Sequence, residues 1–270
     1  MHVTFIGGGN MASAIIGGLI RQNFDAKLLR AVEVVPELRE QLKKRFGVSS
    51  FASPEQLPET GDIVVLAVKP QQIRTAVKSL IPRLRQQVVL SIAAGIRIAD
   101  LARWLGGYER LIRCMPNTPA LVSAGITAAY AAPAITPDER HAVEQILQAI
   151  GKVVWVESEG LLDPVTAVSG SGPAYVFYFI EALRDAAKEL GLSAEAANSL
   201  AIETFVGAAK LAAHGKDDVA TLRERVTSKG GTTEAALKSM AADQVKEAII
   251  RGVKAANDRA RELGAELGKD

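Results

Sequence analysis

The sequence predicts an α/β domain on a parallel sheet over residues 1–157, followed by an all-α domain over 158–270. Short β-branched runs alternate with amphipathic stretches through the first part, the rhythm of successive βαβ units. A glycine turn follows the first of these runs directly and opens a helical stretch. From about Glu159 onward helical patterns replace the strand-like runs. A chain of 270 residues is long enough for one or two cores of ordinary size.

The strand-like runs are Val3 to Ile6, Leu28 to Val32, Ile63 to Val68, Val88 to Ala93, Arg110 to Cys114 and Val153 to Val156. Ile63 to Val68 and Val88 to Leu90 are apolar on successive residues, as strands covered on both faces require, so they belong at the centre of the sheet. Thr136 and Glu139 form a capping box around Pro137 at the first helical position. Ala142, Val143, Ile146, Leu147 and Ile150 then recur on one face, and Gly151 is expected to stop the helix. The second domain reads as helices over Pro173 to Leu190, Ser193 to His214, Val219 to Val226, Gly231 to Met240 and Asp243 to Leu263. In the last, Val245, Ile249 and Val253 lie four apart, while Lys246, Glu247, Arg251 and Lys254 face elsewhere. Either a second subunit or the first domain would cover such apolar faces.

Composition narrows the function. Hydrophobic residues are 48% and charged ones 23%, as in an ordinary globular protein. The 32 basic and 30 acidic side chains nearly cancel without a basic block, which points away from nucleic acid or an anionic membrane and toward a small ligand. A lone cysteine, Cys114, excludes an intrachain disulfide, and with His2, His141 and His214 it makes no metal-ligand spacing. A cytoplasmic, metal-free protein is expected. Pro119 to Ile135 is apolar, but Ser123, Gly125, Thr127 and Pro133 interrupt it and it falls short of the ~18 residues of a membrane span. Ala14 to Ile20 lacks the basic region of a signal peptide.

Gly7-Gly8-Gly9-Asn10-Met11-Ala12 matches the G-x-G-x-x-A turn of dinucleotide-binding units in its required context between strand and helix. Gly7 permits the tight turn, Gly9 lets a pyrophosphate approach the backbone, and Ala12 allows close packing of helix on strand. Glu33 stands at the end of the second run, about 20 residues on, where a carboxylate accepts from the adenosine ribose 2′-hydroxyl. That favours NADH, although Arg30 or Arg39 beside it offers a partner for the 2′-phosphate of NADPH, and a solvated surface glutamate fits the same letters. Val68-Lys69-Pro70 and Ala93-Ala94-Gly95 end the central strands, where ligands of open parallel sheets sit. Lys69 is either a donor to ribose or phosphate or a solvated side chain, and Pro70 would start the next helix in both cases.

Five segments in order carry a resemblance: Phe5-Ile6-Gly7-Gly8-Gly9-Asn10-Met11-Ala12, Ala67-Val68-Lys69-Pro70-Gln71, Met115-Pro116-Asn117-Thr118-Pro119, Ser169-Gly170-Ser171-Gly172-Pro173-Ala174-Tyr175 and Val226-Thr227-Ser228-Lys229-Gly230-Gly231-Thr232-Thr233. Together they resemble the pyrroline-5-carboxylate reductase family over nearly the whole chain. The resemblance implies an N-terminal Rossmann domain, a C-terminal helical domain that forms a homodimer, and in many members a larger homo-oligomer. It also implies reduction of 1-pyrroline-5-carboxylate to L-proline by NADPH or NADH. It places Val68, Lys69 and Ala94 at the cofactor and Ser228, Gly231, Thr232 and Thr233 at the substrate carboxylate, with Glu159 near another substrate position. The chain departs from the family at Glu33-Val34, where a polar residue and Arg are common, and at Arg225, where many members have Asn.

The chemistry asks little of acid or base groups. The nicotinamide supplies the hydride, and a cyclic imine is electrophilic once its own nitrogen is protonated. The substrate carboxylate needs a partner, and Gly230-Gly231-Thr232-Thr233 offers successive N–H groups at a helix start, with the Thr233 hydroxyl as the candidate catalytic group. A glycine-rich turn with a threonine cap explains the same letters without a ligand. Asn117, between two prolines, either shapes the nicotinamide pocket or simply stiffens a turn. A related imine or keto-acid reductase and a non-catalytic NAD(P)H-binding protein are the rival readings.

Overall fold

The computed structural model describes residues 1–269. They form two compact units, Met1–Ser171 joined by the chain from Ala256 onward, and Gly172–Ala255.

The first unit is built on an eight-stranded sheet. Its strands are β1 (Val3–Ile6), β2 (Leu29–Val32), β3 (Ser49–Phe51), β4 (Ile63–Leu66), β5 (Val88–Ser91), β6 (Leu111–Met115), β7 (Gly125–Ala131) and β8 (Gly151–Trp155), in the order β3-β2-β1-β4-β5-β6-β7-β8. All neighbours run parallel except β6 and β7, where Cys114 lies opposite Ala129 in an antiparallel pair. The expectation of a parallel sheet therefore holds with one exception. Its cause is the short link over residues 116–124, since a parallel return needs a crossover of about a dozen residues or more. Two strands escaped the sequence reading. β3 has only three residues, Ser-Ser-Phe, and β7 is Gly-Ile-Thr-Ala-Ala-Tyr-Ala, rich in residues of low strand propensity.

Helices α1 (Asn10–Arg21), α2 (Pro36–Phe46), α3 (Pro70–Lys78), α4 (Ile98–Trp104) and α5 (Pro137–Gln148) cover the sheet on both faces. Phe5, Ile15, Ile16, Leu42 and Ile146 share one apolar cluster, and Leu66, Ile73, Val77 and Leu101 share another. Every residue of β1, β4 and β5 is buried, which is why their sequences carry no polar alternation. The capping box of α5 is complete, the Glu139 amide donating to Thr136 Oγ1 at 3.3 Å and the Thr136 amide to Glu139 Oε2 at 2.9 Å. Thr136→Ala is expected to lower the urea unfolding free energy by about 1 kcal/mol, and an unchanged midpoint would count against the cap. Gly151 does not end this helix, which stops at Gln148; it opens β8, because its position is needed for pairing with Gly125.

After β8 come a short helix, α6 (Leu162–Val165), and a π-helical turn over Thr166–Gly170. The second unit then consists of α7 (Gly172–Glu189), α8 (Ala194–His214), α9 (Val219–Arg225), α10 (Thr232–Ala242) and the start of α11 (Val245–Leu267), matching the expected all-helical pattern. The C-terminal part of α11 counts with the first unit, where Leu267 packs against the cluster containing Leu101.

Helices α7, α9 and α10 bury no residue fully. Phe177, Tyr178 and Leu211 are 65%, 71% and 67% exposed, so α7 and α8 leave apolar side chains uncovered in the single chain. Among the described residues no helix is long and apolar enough to cross a membrane.

Candidate functional site

The turn after β1 is shaped by close approach. Gly7 has φ +100°, and a Cβ there would lie 2.7 Å from the Ala67 carbonyl oxygen and 2.8 Å from Val68 Cγ1. Only glycine combines that dihedral with that clearance. Gly9 is the opposite case: it has φ −68°, and a Cβ on it would meet nothing within 4 Å. The space in front of Gly9 is open. Helix α1 begins there with no side-chain cap and no acidic residue in its first turn, so its leading amides and the positive end of its dipole are available to an anion. Asn10 is exposed, Met11 half-buried and Ala12 buried against the sheet.

Glu33, just past β2, is 8% exposed and turned toward this loop. Its Oε2 accepts from the Gly8 amide at 2.7 Å and its Oε1 from the Val35 amide at 2.9 Å. A carboxylate has about four lone-pair sites, so each oxygen retains capacity for a further donor. The solvated-surface reading of Glu33 is thus set aside. Arg39 donates to the Glu33 and Val34 carbonyls at 2.7 and 3.0 Å, while Arg30 pairs with Glu59 at 3.1 Å.

A cavity of about 550 Å³ brings together Gly7, Gly9, Glu33, Val68 and Lys69. Lys69 stands at the N-cap position of α3 with its side chain exposed and making no cap bond, and Pro70 takes the first helical position, as the sequence suggested. Gly8 faces a smaller neighbouring pocket, and Asn10, Met11 and Pro70 lie beside the cavity without lining it. Ala93 is buried and Ala94 half-buried at the end of β5, next to β4 in the sheet.

One strand further, Asn117 links two segments that the sequence singled out separately. Its Nδ2 donates to the Ser169 carbonyl at 3.2 Å, and its Oδ1 accepts from the Ile126 amide at 3.0 Å. Ser169 lies in the π-helical turn, a device often found where a helix must carry a functional group out of register. Gly170 packs there against Met115, whose Cε would be 2.6 Å from an added Cβ.

Glu159 is held from two directions. Its Oε1 accepts from Arg113 Nη1 at 2.9 Å and from the Ile98 amide, at the start of α4, at 2.8 Å. Arg113 also lies 3.7 Å from Asp163, and its own side chain is only 5% exposed. The sequence reading missed Arg113 and Asp163. The available signal was an arginine inside an apolar strand, which has to find a carboxylate when buried. Cys114 beside it is fully buried; burial pushes its thiol far above the usual range, which keeps it protonated and unreactive.

In the second unit the loop before α10 is narrower as a cradle than its sequence suggested. The Gly230 amide donates to Glu234 Oε2 at 2.6 Å and the Gly231 amide to the Ser228 carbonyl at 3.0 Å. Gly231, rather than a threonine, is the N-cap, and it makes no side-chain cap bond. The amides of Thr232 and Thr233 therefore remain as the donors at the positive end of α10. Thr233 is half-buried, whereas Ser228, Gly230 and Thr232 are exposed.

Comparison with known proteins bears on both units. A family model described as pyrroline-5-carboxylate reductase dimerisation matches residues 159–263, and one described as NADP oxidoreductase, coenzyme F420-dependent, matches residues 2–95. A pyrroline-5-carboxylate reductase of Pseudomonas aeruginosa is 41% identical over 99% of this chain and 98% of its own length. One from Arabidopsis thaliana is 36% identical over 97% and 95%. Among solved structures, a pyrroline-5-carboxylate reductase from Coxiella burnetii superposes with a TM-score of 0.92 at 40% identity, covering 97% of this chain and 98% of that one. A Plasmodium falciparum pyrroline carboxylate reductase with NADP bound does so with a TM-score of 0.87 at 29% identity, covering 98% of each. Full-length identity of this degree, across the nucleotide turn and the helical unit alike, establishes that the chain belongs to the pyrroline-5-carboxylate reductase family.

Proposed function

We propose that this chain is an NAD(P)H-dependent oxidoreductase that reduces 1-pyrroline-5-carboxylate to L-proline. The observation that carries the reading is the pair of uncapped helix starts, α1 behind an open glycine turn and α10 behind the Ser228–Thr233 loop. One suits a pyrophosphate, the other a small carboxylate. The functional division falls after β8, with residues 1–157 binding the dinucleotide and 158–270 serving substrate binding and dimerisation.

Bound NAD(P)H supplies the hydride. The protein's part is to hold and exclude. The segment Gly7 to Ala12 receives the pyrophosphate, Glu33 the adenosine ribose, and Val68, Lys69, Pro70, Ala93 and Ala94 the nicotinamide half. Ser228, Gly230, Gly231, Thr232 and Thr233 receive the substrate carboxylate, with the Thr233 hydroxyl set to hydrogen-bond the ring nitrogen. Glu159 contributes from its ion pair with Arg113. The substrate enters as its own iminium, so orientation of two reactants in a water-poor pocket accounts for the acceleration. Bare apolar surface on α7 and α8 supports a homodimer formed through the helical unit. A cytoplasmic setting agrees with a single, buried cysteine.

Steady-state oxidation of NADH and NADPH with pyrroline-5-carboxylate, against a panel of keto acids, tests this directly. Turnover selective for the imine is expected, and Thr233→Ala is expected to lower kcat/KM by roughly tenfold or more, the loss of one well-placed hydrogen bond. Equal turnover of keto acids, or none with the imine, would sink the assignment.

A further inference from the structure

The cavity beside the glycine turn has a second carboxylate that the reading above leaves without a task. Glu55, in the short turn after β3, lines it together with Glu33. The Ser53 side chain, and to a lesser degree the Arg83 guanidinium, hold its carboxyl below the usual range, so it is ionised at neutral pH. Glu33 is fixed in its place by the Gly8 and Val35 amides, with no cation on its carboxylate oxygens among the contacts of the described residues.

Arg83 acts on Glu55 from outside the cavity lining, its guanidinium donating to the Leu57 carbonyl. Arg39 Nη1 donates to the Glu33 and Val34 carbonyls and Arg30 pairs with Glu59, and neither arginine lines the cavity. Lys69 is the one basic side chain in the lining, and it stands at the end of β4, two strands from β2 across β1. The cavity is thus polarised, with its acidic side at the β2–β3 edge where the fold places the adenosine ribose.

We propose that Glu33 and Glu55 together make this cavity select a ribose with a free 2′-hydroxyl, so that the chain uses NADH in preference to NADPH. This rests on the reductase reading only for the identity of the reaction; the selectivity itself is a property of binding. A free ribose donates its hydroxyl hydrogens to carboxylate oxygens that have lone pairs to spare. A 2′-phosphate instead brings about −1.5 to −2 charges to the same edge, where no guanidinium is among the residues lining the cavity. Glu33 supplies the acceptor, and Glu55 closes the space that a phosphate would need.

The test is equilibrium binding of NADH and NADPH to the full chain, followed by tryptophan fluorescence or calorimetry, for wild type, Glu55→Gln and Glu33→Gln. The wild type is expected to bind NADH roughly tenfold more tightly or better, as two nearby like charges would impose at the effective dielectric of a protein surface. Glu55→Gln is expected to narrow that ratio by roughly threefold or more, chiefly by tightening NADPH, and raised salt should narrow it further. Glu33→Gln should narrow it as well, but it also removes an acceptor from the glycine turn, so its melting temperature is measured alongside. The exposed Glu55 carries the decision. Wild type binding NADPH as tightly as NADH, or a ratio that Glu55→Gln leaves in place, overturns the proposal. Selective NADH binding without imine turnover would overturn the reductase reading and leave this selectivity standing.

Discussion

Gly9→Ala is expected to melt at the wild-type temperature and yet bind NADH at least roughly thirtyfold more weakly, the effect of about 2 kcal/mol lost where backbone and pyrophosphate should touch. The backbone at Gly9 is in a region open to alanine, and the added methyl meets no atom of the protein. Any atom it does meet belongs to a ligand. Gly7→Ala makes the opposite point with the same methyl. Its Cβ would press on the Ala67 carbonyl at φ +100°, so folding is damaged together with binding, by a few kcal/mol for the strained backbone. Thermal melting and cofactor titration of the two variants separate the roles. Wild-type affinity in Gly9→Ala would remove the pyrophosphate from the turn.

Arg113→Met is expected to cost about 3–5 kcal/mol in unfolding free energy, because it leaves Glu159 and Asp163 close together without their cation. Part of that loss should return in Arg113→Met/Glu159→Gln/Asp163→Asn, where no charge is stranded. Urea denaturation of the two proteins measures both quantities. A single variant within about 1 kcal/mol of wild type would mean that water or another cation already serves the carboxylates. The same ion pair reaches the site through Glu159, whose Oε1 also holds the Ile98 amide at the head of α4, just beyond Ala94 and Gly95. Loosening it should therefore raise the KM for cofactor in whatever fraction stays folded.

Local signals were legible where the chain determines its own geometry. The glycine turn, the capping box of α5, the buried central strands and the start of α10 all depend on residues within a few positions of one another. β7 was not legible, since Gly125–Ala131 has the alanine and glycine content of a loop and becomes a strand by pairing with β6 on one side and β8 on the other. Pairing energy from neighbours overrides weak local propensity. The Thr136–Glu139 box could be named in advance, whereas the Glu33–Gly8 contact spans 25 residues and needed β1 and β2 side by side.

By itself, then, the sequence determined which segments are strands covered on both faces, where the glycine turn lies, that the second half is helical and which family motifs it carries. These follow from periodicity, from glycine at obligatory positions and from short-range capping, all of which act along the chain. Tertiary structure decided what the charged groups do: that Glu33 faces the glycine turn, that Arg39 holds the Glu33 and Val34 carbonyls and Arg30 the Glu59 carboxylate, that Arg113 gathers Glu159 and Asp163, and that Glu55 shares a cavity with Glu33. A carboxylate or guanidinium fits almost any neighbour of opposite sign within reach of its long side chain, so its partner is fixed only when the sheet order brings distant segments together.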